Sequence, residues 1–439
     1  MKKTVFALAM SLCGLTAFAQ SGTNSPYSQY GLGELAGQTN GFNRGMNGVG
    51  IALREHAQIN YLNPASYADI DSVTFVFDAG MSLQLTNFTE GSVKKNARTA
   101  NFEYAVGGFR VMRHLGLGFG FIPYSNIGYN YSTSADVTGT KSYNGSSISE
   151  TTCTKTYSGS GGLHEAFIGL GYSPVRNLNI GFNAGFLWGE YTKTVGVTYS
   201  DSYVNSLTRS YTANVYSYKL DFGAQYLYQI NKKDAVTIGA TYTIGHKLNA
   251  DPTLDVISTN SQTSVADTTS VSIKHGLSIP TKLGIGAAYN HGTKWRVALD
   301  WTTERWANME FPKYSTYNEG SWNYALAKNQ FNNRNKINFG GEYCQNMESR
   351  KFLDRIRYRF GASYTTSYLK INGIDGPSET SISAGFGIPI INAYNNRSIL
   401  NISAQWVHAG CKSLITENSF RINVGLTFNE KWFAKWKFE

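Results

Sequence analysis

The chain has 439 residues and a net charge of +10, with 39 Lys and Arg against 29 Asp and Glu. Its 45 Gly, 29 Tyr and only 9 Pro fit strands and turns better than helices. Mean hydropathy is −0.29. No later stretch supplies the ~20 apolar residues of a transmembrane helix. The scattered Lys and Arg of a secreted chain argue against a nucleic-acid partner.

Residues 1–19 read as a signal peptide. Lys2 and Lys3 form a basic start, Val5 to Leu15 a largely apolar stretch, and Ala17-Phe18-Ala19 a small-x-small cleavage site before Gln20. Cys153, Cys344 and Cys411 remain after cleavage. Their odd number and wide spacing offer neither a disulfide framework nor a zinc pattern. Residues 20–72 are rich in Gly, Asn, Ala and Tyr and do not alternate.

From Val73 to Phe428 the chain reads as about fourteen strands of alternating apolar and polar residues. They are expected at 73–87, 102–112, 114–124, 163–172, 178–190, 214–230, 235–246, 276–289, 295–305, 335–345, 355–367, 379–389, 398–408 and 418–428. In the sixth, Tyr216, Tyr218, Leu220, Phe222, Ala224, Tyr226 and Tyr228 share one face, while Lys219, Asp221 and Gln225 share the other. At ~3.3 Å per residue and ~45° of tilt, Tyr216 to Tyr228 covers ~28 Å of depth, close to the ~25 Å apolar band of outer-membrane barrels. The tyrosine pairs would form aromatic girdles. Phe222 should meet lipid, and Gln225 should accept an arginine at little cost.

The connections alternate between short and long. Residues 88–101, 125–162, 191–213, 247–275 and 306–334 are expected as long outer loops, with short turns on the opposite rim. These features predict an all-β fold, a membrane-spanning antiparallel barrel of about fourteen strands. They disfavour a soluble sandwich or propeller. The domains expected are a signal peptide at 1–19, an amino-terminal extension and plug at 20–72, the barrel at 73–428 and a periplasmic tail at 429–439. A lumen of this size exceeds what its own side chains can fill. The ~50-residue amino-terminal segment suits a plug, or hatch, entering from the periplasm. Charge on a lipid face costs ~2–4 kcal/mol near the midplane for Arg or Lys. Asp78, Lys219, Asp221, Arg296, Asp300, Glu342, Arg357 and Arg359 are therefore expected to face the lumen, chiefly bonding the hatch and one another.

Gly45-Met46-Asn47-Gly48-Val49-Gly50-Ile51-Ala52 followed by Asn63-Pro64-Ala65-Ser66-Tyr67-Ala68 resembles the hatch of the FadL/TodX family of outer-membrane transporters for hydrophobic compounds. Ile279-Pro280-Thr281-Lys282-Leu283-Gly284 and Phe121-Ile122-Pro123-Tyr124 are similar to further stretches of that family. The resemblance implies hatch residues Gly45, Met46, Gly48, Gly50, Asn63, Pro64 and Ala65. It also implies a third strand kinked into a lateral portal, here Gly116, Gly118, Gly120 and Pro123. Ordinary barrel curvature and close hatch packing explain those glycines equally well. Asn63 is a good helix N-cap and Pro64 a good first helical residue. That helix start would offer N–H groups to a carboxylate or, the favoured reading, only hold the hatch in shape.

The resemblance implies passive uptake of a small hydrophobic compound, such as a fatty acid or aromatic hydrocarbon, across the Gram-negative outer membrane with both termini periplasmic. Outer-membrane lipid and the ligand would be the partners, with no cofactor, no metal and no enzymatic centre. Asn24 to Gly33 looks like an extension beyond the familiar transporters, and the tail carries Trp432, Phe433, Trp436 and three lysines. Both leave room for other envelope proteins. The second reading is a subunit or shuttle of a larger envelope assembly, for secretion or barrel biogenesis.

Overall fold

The structure, a computed structural model, describes residues 22–137, 151–316, 321–390, 398–411 and 414–430. The expected signal peptide and the tail beyond Glu430 lie outside the described residues. Fourteen strands close one antiparallel barrel. They are β1 (Phe75–Glu90), β2 (Val93–Met112), β3 (Leu115–Val137), β4 (Thr151–Val175), β5 (Leu178–Tyr199), β6 (Ser206–Gln229), β7 (Asp234–Thr243), β8 (Lys282–His291), β9 (Trp295–Glu304), β10 (Arg334–Tyr343), β11 (Arg357–Thr365), β12 (Ser378–Ile390), β13 (Ser398–Gly410) and β14 (Thr416–Glu430). Each pairs with the next, and β14 returns to β1 from Phe75↔Glu430 to Thr89↔Thr416. Closure suits a bilayer because no backbone edge is left unpaired in hydrocarbon.

The two faces of each strand differ as the alternation requires. Leu83, Phe222, Ile238, Ile285, Leu299, Phe360 and Ile382 are exposed on the outside. Asp78, Ser82, Gln225, Asp300, Arg359 and Asn401 are buried on the inside. The molecule is apolar outside and polar within, the inverse of a soluble barrel. No described helix is long and apolar enough to cross a membrane. The rim bearing Phe75 and Glu430, here the terminal rim, has tight connections. His114 and Asn177 turn there in left-handed backbone (φ 69° and 72°), as does Gly292.

The opposite rim departs from expectation. Much of the sequence at 88–101, 125–162 and 191–213, read above as loops, continues the ladder. β1 and β2 meet in a tight turn at Gly91, whose φ is +56°. β3 pairs with β4 out to Val137↔Thr151, and β5 with β6 out to Val197↔Leu207. Beyond the lipid band both faces of a strand can be polar, so hydrogen bonding continues where alternation stops. β2 to β6 run 20–25 residues, whereas β7 to β11 run 9 or 10. One side of the barrel thus rises as a curved wall. A hairpin of Thr253–Thr259 and Ala266–Ser272 extends it by pairing with upper β6. A second hairpin, Phe311–Thr316 with Trp322–Ala327, packs Tyr314, Trp322 and Tyr324 against Tyr211 and Leu254.

Phe222 is 42% exposed and Gln225 1%. The Gln225 amide donates to the carbonyls of Ile51 (2.9 Å) and Leu53 (3.1 Å), so the expectation that arginine is harmless there is corrected. Phe222→Arg should cost about 2–4 kcal/mol and Phe222→Ala far less. Gln225→Ala should cost about 1–3 kcal/mol through the lost buried bonds. Urea unfolding in lipid vesicles measures all three.

Candidate functional site

Residues 22–72 contain three short helices, Pro26–Gln29, Gly41–Arg44 and Pro64–Asp69, and one two-residue strand, Glu34–Leu35. Phe42, Met46, Val49, Leu53, Ile59 and Tyr67 are almost fully buried. The segment can lie against the strands because its glycines allow close approach. A side chain at Gly45 would strike Arg359, and Met46 itself packs against Gly340 and Gly361. Gly48 has φ +87°, a backbone that L side chains rarely adopt.

Asn63 caps the helix Pro64–Asp69. Its side-chain oxygen accepts the Ala65 N–H (3.1 Å), and its amide donates to the carbonyls of Ile51 (2.8 Å) and Ala224 (3.1 Å). The Ala65 N–H is thus already bonded, which agrees with a cap that holds shape rather than a carboxylate site.

The charged side chains of the strand interiors converge on this segment. Asp300 accepts the backbone N–H groups of Gly50 (2.6 Å) and Ile51 (2.9 Å) through one oxygen. Asp78 accepts from Tyr104 (3.0 Å), whose hydroxyl in turn accepts the Gly41 N–H (2.7 Å). Arg359 bonds Glu342 at 2.6 Å, Arg357 lies 3.4 Å from Glu342, and Arg296 pairs with Glu55. Burial alone would raise the Glu55 carboxyl, but Arg296 and Arg357 beside it hold it below its usual range. Lys219 bridges Asp221 (2.7 Å) and Glu165 (3.1 Å). Glu55, Arg44 and Glu103 were not anticipated. Arg44 meets Glu103 at 2.7 Å and Asn423 at 2.9 Å. Glu103 reaches the interior because the β1–β2 register shifts after Gly80, leaving it unpaired between Phe102 and Tyr104. A bulge of this kind breaks strict alternation and has no marker in spacing.

Of the residues expected at a portal, the three glycines lie within the ladder and Pro123 lies beyond its end. Gly116, Gly118 and Gly120 pair on both sides, with Arg110, Gly108 and Val106 of β2 and with Gly171, Gly169 and Phe167 of β4. They are small for another reason: a side chain at Gly116 would strike the Tyr67 backbone, and one at Gly118 the Tyr67 ring. The β2–β3 ladder instead ends at Ala105↔Phe121, just before Pro123, and the two strands part above it.

The parted seam is occupied by the chain itself. Glu34 and Leu35 pair with Asn126 and Ser125 of β3, and the Ala36 N–H donates to the Tyr124 carbonyl (3.0 Å). On the β2 side, Asn101 donates to the Gly22 carbonyl (2.7 Å) and Asn24 to the Arg98 carbonyl (3.3 Å). The Thr23 hydroxyl bonds Glu34 and joins the two limbs. Ser25 and Tyr27 reach Glu417 and the Ile415 carbonyl at the head of β14. Burial raises the Glu34 carboxyl, with the Thr23 hydroxyl and Arg421 acting against it, and burial beside Glu417 raises the Tyr27 phenol. Residues 22–36 thus form a strap across the foot of the seam.

Inside the strap lies an apolar cluster. Leu32 packs with Trp306, Phe331, Tyr368 and Leu163, flanked by Tyr27, Tyr30 and Leu35. Tyr368 donates to the Gly33 carbonyl at 2.6 Å, and Lys193 to that of Gly31 at 2.8 Å. Beneath it is a cavity of about 90 Å³ whose lining includes Lys219, Lys282, Lys336, Arg334, Asp300 and Glu304. Leu35, Ile51, Leu62 and Ile279 line the same cavity, so the upper lumen is apolar where it is filled and mixed in character where it is open.

Two substitutions and a control test this packing. Asp300→Ala leaves two buried N–H groups without an acceptor and should cost about 1–3 kcal/mol. Gly116→Ala should cost at least about 1–3 kcal/mol by overpacking. Gly196→Ala meets nothing within 4 Å and should be near neutral. Loss of heat-modifiable gel mobility at a lower temperature measures each.

The fold is of the FadL/TodX type. The structure matches CymD, a monoaromatic hydrocarbon channel, with a TM-score of 0.60 at 14% identity, covering 89% of this chain and 97% of that one. It matches the toluene transporter TbuX of Ralstonia pickettii with a TM-score of 0.59 at 12% identity, covering 89% and 97%. A FadL homologue of Pseudomonas aeruginosa gives a TM-score of 0.54 at 12% identity, with coverage again 89% and 97%. None of the three is named as an enzyme. No curated protein matches the sequence. The family model for BamG spans residues 1–439 in full, and the chain belongs to the BamG family.

Proposed function

We propose that this protein is a self-closed outer-membrane barrel that serves as a subunit of a larger envelope assembly, with both termini in the periplasm. The observation that carries the reading is the occupied upper lumen. A channel for hydrophobic compounds needs an apolar site open to its ligand. Here Leu32 and its neighbours fill that site, and Trp306 and Tyr368 are buried against them. Residues 40–70 act as a plug beneath, bonded to inward side chains of β1, β2, β6 and β9 to β14. The strap closes the foot of the sideways route as well. Meanwhile β2 to β6 rise as a wall beyond the lipid band, which a pore alone does not require.

A second reading has its own support. The parted β2–β3 seam lies where a lateral exit would open, and the neighbours named above include a toluene transporter and a hydrocarbon channel. In that reading the strap is the gate of a passive transporter for small hydrophobic compounds, and its release admits ligand and frees it into the bilayer.

Native purification and uptake separate the two. The assembly reading expects a stoichiometric complex from gently solubilised membranes and no toluene or oleate uptake into vesicles holding the purified barrel. Ala36→Pro, which removes the strap's bond to Tyr124, should then leave uptake at background. A monomer whose uptake rises severalfold on Ala36→Pro would establish the gated transporter instead.

A further inference from the structure

The strap covers only the foot of the parted seam. Its ladder partners on β3 are Ser125 and Asn126, and the Ser28 hydroxyl then bonds both the N–H and the C=O of Gly128 (3.2 and 3.3 Å). β3 continues for nine residues beyond Gly128, to Val137, paired with β4 on its other side. Toward the seam, no ladder partner exists for this stretch among the described residues. The side on which each backbone group points follows from the alternation. Gly128 faces the strap, so the N–H and C=O groups of Asn130, Ser132 and Ser134 face the open seam.

Across the seam, β2 is likewise paired only with β1 from Val93 to Phe102, and the Arg98 carbonyl already points into the gap toward Asn24. An open crevice of about 310 Å³ runs from Asn24 over the face of β3, β4 and β5, with Asn130, Ser158 and Thr194 in its lining. The exposed charges on the β2 side are mainly basic. Lys94, Lys95 and Arg98 on β2 stand with Glu90 at the head of β1, against Asp136 on β3.

We propose that this cleft is a strand-acceptor site for an acidic, extended segment of a partner protein. The segment would add antiparallel to the β3 edge above the strap and set its acidic side chains toward Lys94, Lys95 and Arg98. The chain's own Glu34–Leu35 strand demonstrates that this edge takes up an added strand. Main-chain bonds supply the affinity of such augmentation, and the flanking charges its selectivity. Unprotected edges are ordinarily blunted by lysine, so the same residues could instead ward pairing off. The test distinguishes these outcomes. The proposal rests on the assembly reading for its biological partner but not for its chemistry.

The probe is a synthetic ten-residue peptide with alternating glutamate and valine, capped at both ends and fluorescently labelled. It is titrated onto the full chain in nanodiscs of zwitterionic lipid. Saturable binding is expected, weakened at least tenfold by backbone N-methylation of the peptide and at least tenfold by Ser132→Pro with Ser134→Pro. Those prolines remove seam-facing donors and leave the backbone ladder to β4, at the loss of the Ser134–Thr154 hydroxyl bond (3.1 Å). Lys94→Glu with Arg98→Glu should weaken the peptide about tenfold and strengthen its lysine counterpart.

Should the proline variant fail to fold, benzoylphenylalanine in place of Asn130 decides. It should cross-link the peptide, whereas the same group in place of Tyr203 should not. Absence of binding, or equal binding of the N-methylated peptide, overturns the proposal. A monomeric barrel that binds the peptide removes the assembly reading and keeps the cleft. A native complex that survives the proline substitutions, in a barrel whose peptide binding they abolish, keeps the assembly and shows that its contact lies elsewhere.

Discussion

The lumen of this fourteen-strand barrel is largely filled, and its inward polar side chains bond chiefly within it. Both tasks fall on residues 22–72. A lipid-facing exterior leaves alternate side chains polar and turned inward, where unpaired charge would be costly. Asp300 is the clearest case. One carboxylate oxygen holds the backbone of Gly50 and Ile51, placing the plug by its main chain rather than by a particular side chain. Arg44 with Glu103, and Glu55 with Arg296 and Arg357, repeat the arrangement around the circumference. Breaking one such pair by removing a partner is expensive because the other charge stays buried. The plug is therefore part of the barrel's stability rather than an accessory to it.

The same constraint shapes the glycines. Gly116 and Gly118 admit Tyr67, and Gly340 and Gly361 admit Met46. A glycine-rich strand in a barrel invites a reading in terms of kinks and openings. Here the ladder through those glycines is complete, and the discontinuity begins at Ile122, where no glycine stands. The seam arises from two strands that continue upward in different directions, with chain inserted between them.

Fold likeness and closure pull in different directions on function. Structures at 12–14% identity share the architecture with this chain and leave the state of the passage open. The passage here is occupied by Leu32 and the strap and bounded below by a small cavity of mixed lining. The lumen is given over to packing, and β2 to β6 rise beyond it as a wall. A gated transporter must undo several buried bonds at once, those of Ala36, Tyr368 and Lys193 among them.

The barrel was legible from sequence because bilayer and lumen impose opposite polarity on alternate residues. Each of the fourteen expected strands overlaps an observed one, and the inward placement of Asp78, Asp300 and Arg359 followed from the cost of charge in lipid. Where that contrast ends, legibility ends. The upper parts of β2 to β6 are rich in Ser, Thr, Gly and Asn and read as loops, although their backbone bonds are those of strands. The partners of each inward charge, the bulge that turns Glu103 inward and the insertion of Glu34–Leu35 into the seam were decided only by tertiary structure. They depend on which residues come opposite one another across tens or hundreds of positions. Spacing along the chain carries no record of register between segments so far apart.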